Sequence, residues 1–278
     1  MEFNFKFQPI SFSWVAVHPR PLGIINFIGE VGFGAFPTIF YRHFLKGLYY
    51  QGYTIIARPI YSHWNCWTGA INLMNESLNY NLFSGIFAEA KRLGYNSEIY
   101  LKNYNSKQLN NFWLGHGLGC QYLILLEIIS NLNQEKYRIF LNEYLDKKQT
   151  KAINEYFNLI QDKQFSIINE PSIFISPKII GGCKTLNQLT EEEIYNLIKY
   201  SDLFNCLGMI VPEKSHYTTK NIKDLKQNVP QDLYKLISEK NPGNHFSPLF
   251  FSSKQVQLEK SVIRILKLLE ERLKSSIG

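Results

Sequence analysis

The chain has 278 residues, 45% of them hydrophobic and 15% aromatic, which suits a packed domain with its own core and excludes a disordered segment. Its formal charge of +7 comes from 30 basic and 23 acidic residues that are scattered or paired, as in Glu270-Glu271-Arg272-Leu273-Lys274, so nucleic acid is not expected as a partner. No apolar run approaches the ~20 residues that span a bilayer.

The four cysteines (Cys66, Cys120, Cys183 and Cys206) stand apart from one another and from metal-ligand spacing, so neither a metal nor a cofactor is expected. No signal-peptide pattern is seen at residues 1–6, and the expectation is a reducing, cytoplasmic compartment.

In chain order, residues 14–17, followed by Pro19-Arg20-Pro21, read as an edge strand and a turn. Residues 23–29 form a continuous apolar run ending in Gly29, the pattern of a strand buried on both faces. A glycine-rich loop follows at 29–34. Residues 41–48 then show helical apolar spacing stopped by Gly52, and 53–59 read as another buried strand. At 61–67, Tyr61-Ser62-His63-Trp64-Asn65-Cys66-Trp67 follows that strand, where aromatic residues and His63 are placed to line a pocket or to pack under an insertion.

Residues 83–92 read as a helix capped by Gly94, and 112–114 as a strand. That strand enters a glycine-spaced turn, Gly115-His116-Gly117-Leu118-Gly119, followed by a long apolar helical pattern. This is the strand–turn–helix layout of a nucleophile elbow, G-x-S-x-G, with Gly117 where the serine would stand. Cys120, in the first turn of the helix, reads as a buried, inert thiol.

Amphipathic helical segments over 132–170, extending to 200 at the widest, fit a helical cap insertion; an N-capped helix start falls at Thr190-Glu191-Glu192-Glu193. Strand signals return at 172–176 and 205–211, and an amphipathic helix runs over 255–273. Repeated strand–helix alternation implies one α/β domain over 1–278, a mostly parallel central sheet with helices on both faces.

The glycine-rich loop has spacing G-x-x-G-x-G, and no acidic residue ends the strand at Ala57-Arg58-Pro59, so it does not match a dinucleotide fingerprint.

Taken together, Ile25-Asn26-Phe27-Ile28-Gly29, Ala35-Phe36-Pro37, Tyr41-Arg42, Gly52-Tyr53-Thr54-Ile55-Ile56-Ala57, the elbow and Pro242-Gly243-Asn244-His245-Phe246-Ser247-Pro248-Leu249 carry a family likeness. The chain resembles the domain of unknown function 1350 family, α/β-hydrolase-like proteins of cyanobacteria and plastids. The resemblance implies an α/β-hydrolase fold and, for location, a cyanobacterial cytosol or plastid stroma.

In that fold the order is nucleophile, acid, histidine. The nucleophile position falls on Gly117, the histidine on His245, and the loop after the strand at 207–211 offers Glu213 as the acid. Gly29, Glu30 and Val31 would present backbone N–H groups to an oxyanion hole with that of Leu118, and His116 flanks the pocket. Without a serine, the expected role is binding of a small acyl or apolar ligand or of a protein partner. An ester or thioester hydrolase using water activated at His245 is a second reading. A peripheral membrane-surface factor, suggested by the net charge and the basic terminal helix, is a third.

Overall fold

The computed structural model describes residues 4–60, 66–78, 80–100, 110–130, 170–178, 206–214 and 236–277, with Lys147, Thr150, Lys151, Asn154, Glu155 and Ile167 between them. The expected cap over 132–170 (apart from those positions), the helix start at 190 and His63 lie outside the described residues.

Among the described residues, eight strands form one sheet: β1 Gln8–Ile10, β2 Ser13–Ala16, β3 Gly23–Ile28, β4 Tyr53–Arg58, β5 Asn110–His116, β6 Ser172–Ile175, β7 Leu207–Pro212 and β8 Leu236–Asn241. Their order is β1-β2-β4-β3-β5-β6-β7-β8; β1 and β2 pair antiparallel, and from β4 onward every pair is parallel. This is the sheet of an α/β-hydrolase fold. One expectation is corrected: β2 is not an edge strand, because the three-residue β1 covers it.

The strands alternate their cores as a pleated sheet requires. Ile25, Phe27, Ile55, Ala57, Phe112 and Leu114 face one layer, with α2 (Arg42–Tyr50) and the terminal helix, here α6 (Ser253–Ile277). Ile24, Ile56 and Val15 face the other, against α4 (Tyr80–Arg92). Between these come α1 (Pro37–Phe40), α3 (Cys66–Leu78) and α5 (Gly119–Ser130). Helix α5 is buried on all sides from Gly119 to Ile129, which is why its sequence is apolar almost throughout.

A sealed ion pair ties the second layer to the sheet. Arg58, at the end of β4, is bonded to Glu76 on α3 at 3.0 Å, and their side chains are 2% and 4% exposed. Its remaining donors reach Asn26 Oδ1, and its guanidinium lies over the Trp113 ring at 5.3 Å. Glu76 also accepts from Ser13 Oγ and the Phe12 N–H. Every polar atom of such a buried pair needs a partner, and this one has them.

Candidate functional site

The C-terminal ends of the parallel strands β3, β5, β6 and β8 converge at one place, and each delivers a residue to it. Strand β5 runs into the elbow. Gly117 has φ +57°, a left-handed conformation that glycine adopts without steric cost. Its N–H donates to the Ile175 carbonyl, and its own carbonyl accepts from the N–H groups of Cys120 and Lys178. Helix α5 then starts so close to β3 that a Cβ at Gly119 would overlap the carbonyls of Ile28 and Gly29.

The space above Gly117 is filled by the carboxylate of Glu30, the second residue after β3. A methyl group built at 117 would overlap Glu30 Oε2 and meet the His245 ring at 3.0 Å. Glu30 Oε2 accepts from His245 Nε2–H at 2.9 Å and from Lys178 Nζ at 3.1 Å, and Oε1 accepts from the Val31 N–H at 3.1 Å. Burial pushes the Glu30 carboxyl up, but the His245 hydrogen bond and the Lys178 charge outweigh it and hold the group below the usual carboxylate range. Glu30 is therefore an anion at neutral pH, standing where the hydroxyl of a serine elbow would stand.

Behind it runs a hydrogen-bonded chain. The Glu30 N–H donates to Tyr41 Oη at 2.8 Å, and Tyr41 Oη–H donates to His116 Nδ1 at 2.8 Å. His116 Nε2–H donates to the His245 carbonyl at 2.8 Å. A carbonyl can only accept, so the proton of His116 sits on Nε2 and Nδ1 is left to accept from the tyrosine. Burial, with the neighbouring His245 acting in the same direction, lowers the pKa of His116 to about 3, so its ring is neutral. It is fully buried and stacks on the His245 ring, centroids 4.8 Å apart.

The expectations for the site meet this geometry as follows. Gly117, His245 and His116 come together. The N–H groups of Glu30 and Val31 are not open to a ligand, as the oxyanion-hole reading required: Tyr41 takes the first and the Glu30 carboxylate the second. The Leu118 N–H has no acceptor among the described residues. Glu213 is exposed, its N–H donates to the Asn241 carbonyl, and among the described residues its carboxylate makes no bond to His245. The thiol of Cys120 is buried, bonded to the Gly115 carbonyl and pushed well up by burial.

Sequence reasoning missed three participants: the Glu30 side chain, Tyr41 and Lys178. The available signal was an acidic residue inside a loop otherwise read as bare backbone. Among the described residues no group of three His, Cys, Asp or Glu side chains is placed to hold a metal ion, and no helix is long and apolar enough to cross a membrane.

Among solved structures, the chain is similar to a dienelactone hydrolase from Anabaena variabilis (10% identity, TM-score 0.45, 92% of this chain and 93% of that one). It is also similar to a lipase-esterase related protein from Clostridium acetobutylicum (10%, TM-score 0.46, 92% and 100%) and to the siderophore hydrolase EstB from Aspergillus fumigatus (11%, TM-score 0.44, 96% and 98%). No curated protein sequence matches the chain. The family model described as protein of unknown function DUF1350 matches residues 6–180, more than half of the chain. The chain belongs to that family, within the α/β-hydrolase fold.

Proposed function

We propose that this chain performs no acyl transfer through its elbow and serves as a binding protein, for a small acyl or apolar ligand or for a protein partner, at the inherited site. The observation that carries this reading is the Glu30 carboxylate seated over Gly117 and pinned by His245, Lys178 and the Val31 N–H.

Two physical arguments support it. Acyl transfer develops an oxyanion at the elbow, and stabilising that charge is usually the largest catalytic contribution. A carboxylate within ~4 Å of it opposes it by about 4 kcal/mol at an effective dielectric of about 20, before Lys178 offsets part of this. Hydrolysis by water activated at His245 is the competing mechanism. It needs a ring nitrogen of His245 with a free lone pair; Nε2, the nitrogen beside the carboxylate over the elbow, is taken up as a donor to Glu30, which leaves only Nδ1 for that role.

Fluorophosphonate labelling of four proteins tests the reading: the wild type, Gly117→Ser, Glu30→Gly and the double variant Glu30→Gly/Gly117→Ser. The wild type stays unlabelled. Gly117→Ser alone labels poorly, because Glu30 occupies the space its side chain needs. The double variant labels, and loses labelling when His245→Ala is added. Wild-type turnover of aryl esters that disappears in His245→Ala or Glu30→Gln overturns the reading. A double variant that stays dark overturns the inherited acyl site and leaves the protein partner.

A further inference from the structure

Beside the Glu30–His245 site the surface changes character. Phe36, Ile39 and Phe40 from α1 and its approach, and Phe246, Phe250 and Phe251 from the loop between β8 and α6, are 37–72% exposed. Ring contacts join the two groups: Phe33 lies edge-on to Phe40 at 5.1 Å and to Phe246 at 6.3 Å, and Phe251 lies 5.3 Å from His43 at the start of α2. Isolated exposed apolar residues are ordinary on a protein surface, but six from two segments meeting at the mouth of a site form a patch that marks contact with something.

The charge around the patch says with what. The two segments that build it, residues 31–50 and 240–258, contain Arg42, Lys46, Lys240 and Lys254 and no aspartate or glutamate. All four basic side chains are exposed, and among the described residues none is in an ion pair. Three acids border these segments: Glu30 is held by His245 and Lys178, Glu239 is bonded to Arg264 and Ser261, and Glu259 is packed against Gly47, where burial raises its carboxyl to about 7. Among the described residues the surround is mainly cationic, the exposed Glu213 beside Asn241 being the exception, and an apolar centre so bordered complements an interface that is apolar inside and anionic at its surface.

We propose that the exposed aromatic face formed by Phe36, Ile39, Phe40, Phe246, Phe250 and Phe251 docks on the surface of an anionic lipid bilayer, with Arg42, Lys46, Lys240 and Lys254 against the headgroups. Phenylalanine rings enter the headgroup–acyl boundary and the basic rim adds attraction to anionic lipid, so both are needed for firm binding. Docking in this orientation turns the His245 turn toward the membrane and brings an apolar ligand to the site from the lipid phase. It is independent of whether that site binds a ligand or transforms one.

The test is flotation of the full chain with phosphatidylcholine vesicles and with vesicles containing roughly 30% phosphatidylglycerol, a strongly anionic surface. The wild type floats with the anionic vesicles, stays behind with the neutral ones, and is released by salt. Phe250→Ser/Phe251→Ser weakens partitioning by about tenfold or more, since each ring removed returns apolar area to water. Lys46→Glu/Lys254→Glu does the same, while Phe12→Ser, at an exposed residue on the β1–β2 turn away from the patch segments, changes nothing. Circular dichroism melts of the variants match the wild type, because the altered side chains are exposed.

Three results overturn the proposal. One is no flotation with anionic vesicles, which leaves the patch to an acidic protein. Another is flotation that the paired phenylalanine substitutions do not alter, which reduces the interaction to charge. The third is a shift of oligomeric state in the phenylalanine variants without an effect on flotation, which makes a second copy of the chain the occupant.

Discussion

Two buried carboxylates sit beside adjacent strands, Glu76 against the end of β4 and Glu30 just past β3, and they are held in opposite ways. Glu76 is bonded to an arginine that is itself 2% exposed, and its other contacts, Ser13 and the Phe12 N–H, belong to the sheet's own edge hairpin. Glu30 is bonded to Lys178, which is 44% exposed, and to His245, which is 16% exposed and stands in a turn. The first pair is a strut: all its partners are fixed by secondary structure. The second is closed from below by Tyr41 and His116 and held from above by side chains that reach in from solvent. The contrast separates scaffold from site without appeal to any known activity, because a site must expose one side of its charge to whatever it meets.

The contrast breaks first, if it breaks, at Glu76. Glu76→Ala leaves the Arg58 guanidinium buried without its counter-ion, and a loss of about 3–5 kcal/mol is expected in urea unfolding. A loss under about 1 kcal/mol would mean that Arg58 finds water or another acceptor, and that the strut is no more rigid than the site.

Next in size is the pH dependence of His116. The unfolded ring titrates near 6.5 and the folded ring near 3, so the unfolded state takes up the proton first as pH falls. The contribution of this histidine is whole above about pH 6.5 and drains away toward pH 3, with a slope of about 1.4 kcal/mol per pH unit. His18, which burial also lowers, adds in the same direction, so His116→Asn reduces the slope of stability against pH without abolishing it. An unchanged slope in His116→Asn would show that the ring is not held neutral.

The smallest effect belongs to Glu30→Gln. Lys178 can turn back to solvent and an amide can still accept from Val31, so a loss of about 1 kcal/mol is expected, well below that of Glu76→Ala. The carboxylate's own contribution is whole above its ordinary range, near 4.5, and is lost as pH falls below it. If Glu30→Gln costs as much as Glu76→Ala, the two carboxylates are both struts and the distinction fails.

The parts of the fold that were legible in the sequence share a physical cause. Strands β3, β4, β6 and β7 are buried along their whole length, so each is written as a mainly apolar stretch, interrupted only where Asn26, Thr54, Arg58 and Ser172 stand. Strand β8 is half-buried and reads Leu236-Ile237-Ser238-Glu239-Lys240-Asn241, with no run to detect. Strand β1 has three residues, too few to show a period, and missing it turned β2 into an edge. Helix α3 carries its signal in Trp67, Ala70, Ile71 and Met74 at helical spacing, but the aromatic cluster just before it reads as a pocket and hides where the helix begins.

At the site, the elbow was legible because its glycines answer to backbone geometry, which leaves a trace in local spacing. The pairing of Glu30 with His245 was not, since those residues lie 215 positions apart and only the parallel sheet brings their strand ends together. Lys178 was invisible for the same reason. Two separate oddities, a missing side chain at 117 and an extra charge at 30, turn out to be one feature seen from both ends.

That mutual fit bears on how such a chain can change over generations. A serine placed at 117 arrives in space already filled by a carboxylate, and a Glu30 lost first strips Lys178 and His245 of their shared partner. Each substitution is unfavourable in the background that lacks the other, the signature of coupling between contacting residues. The pair works as a ratchet, in which Gly117 and Glu30 each hold the other in its present state, so that no single substitution at either position opens a serine elbow.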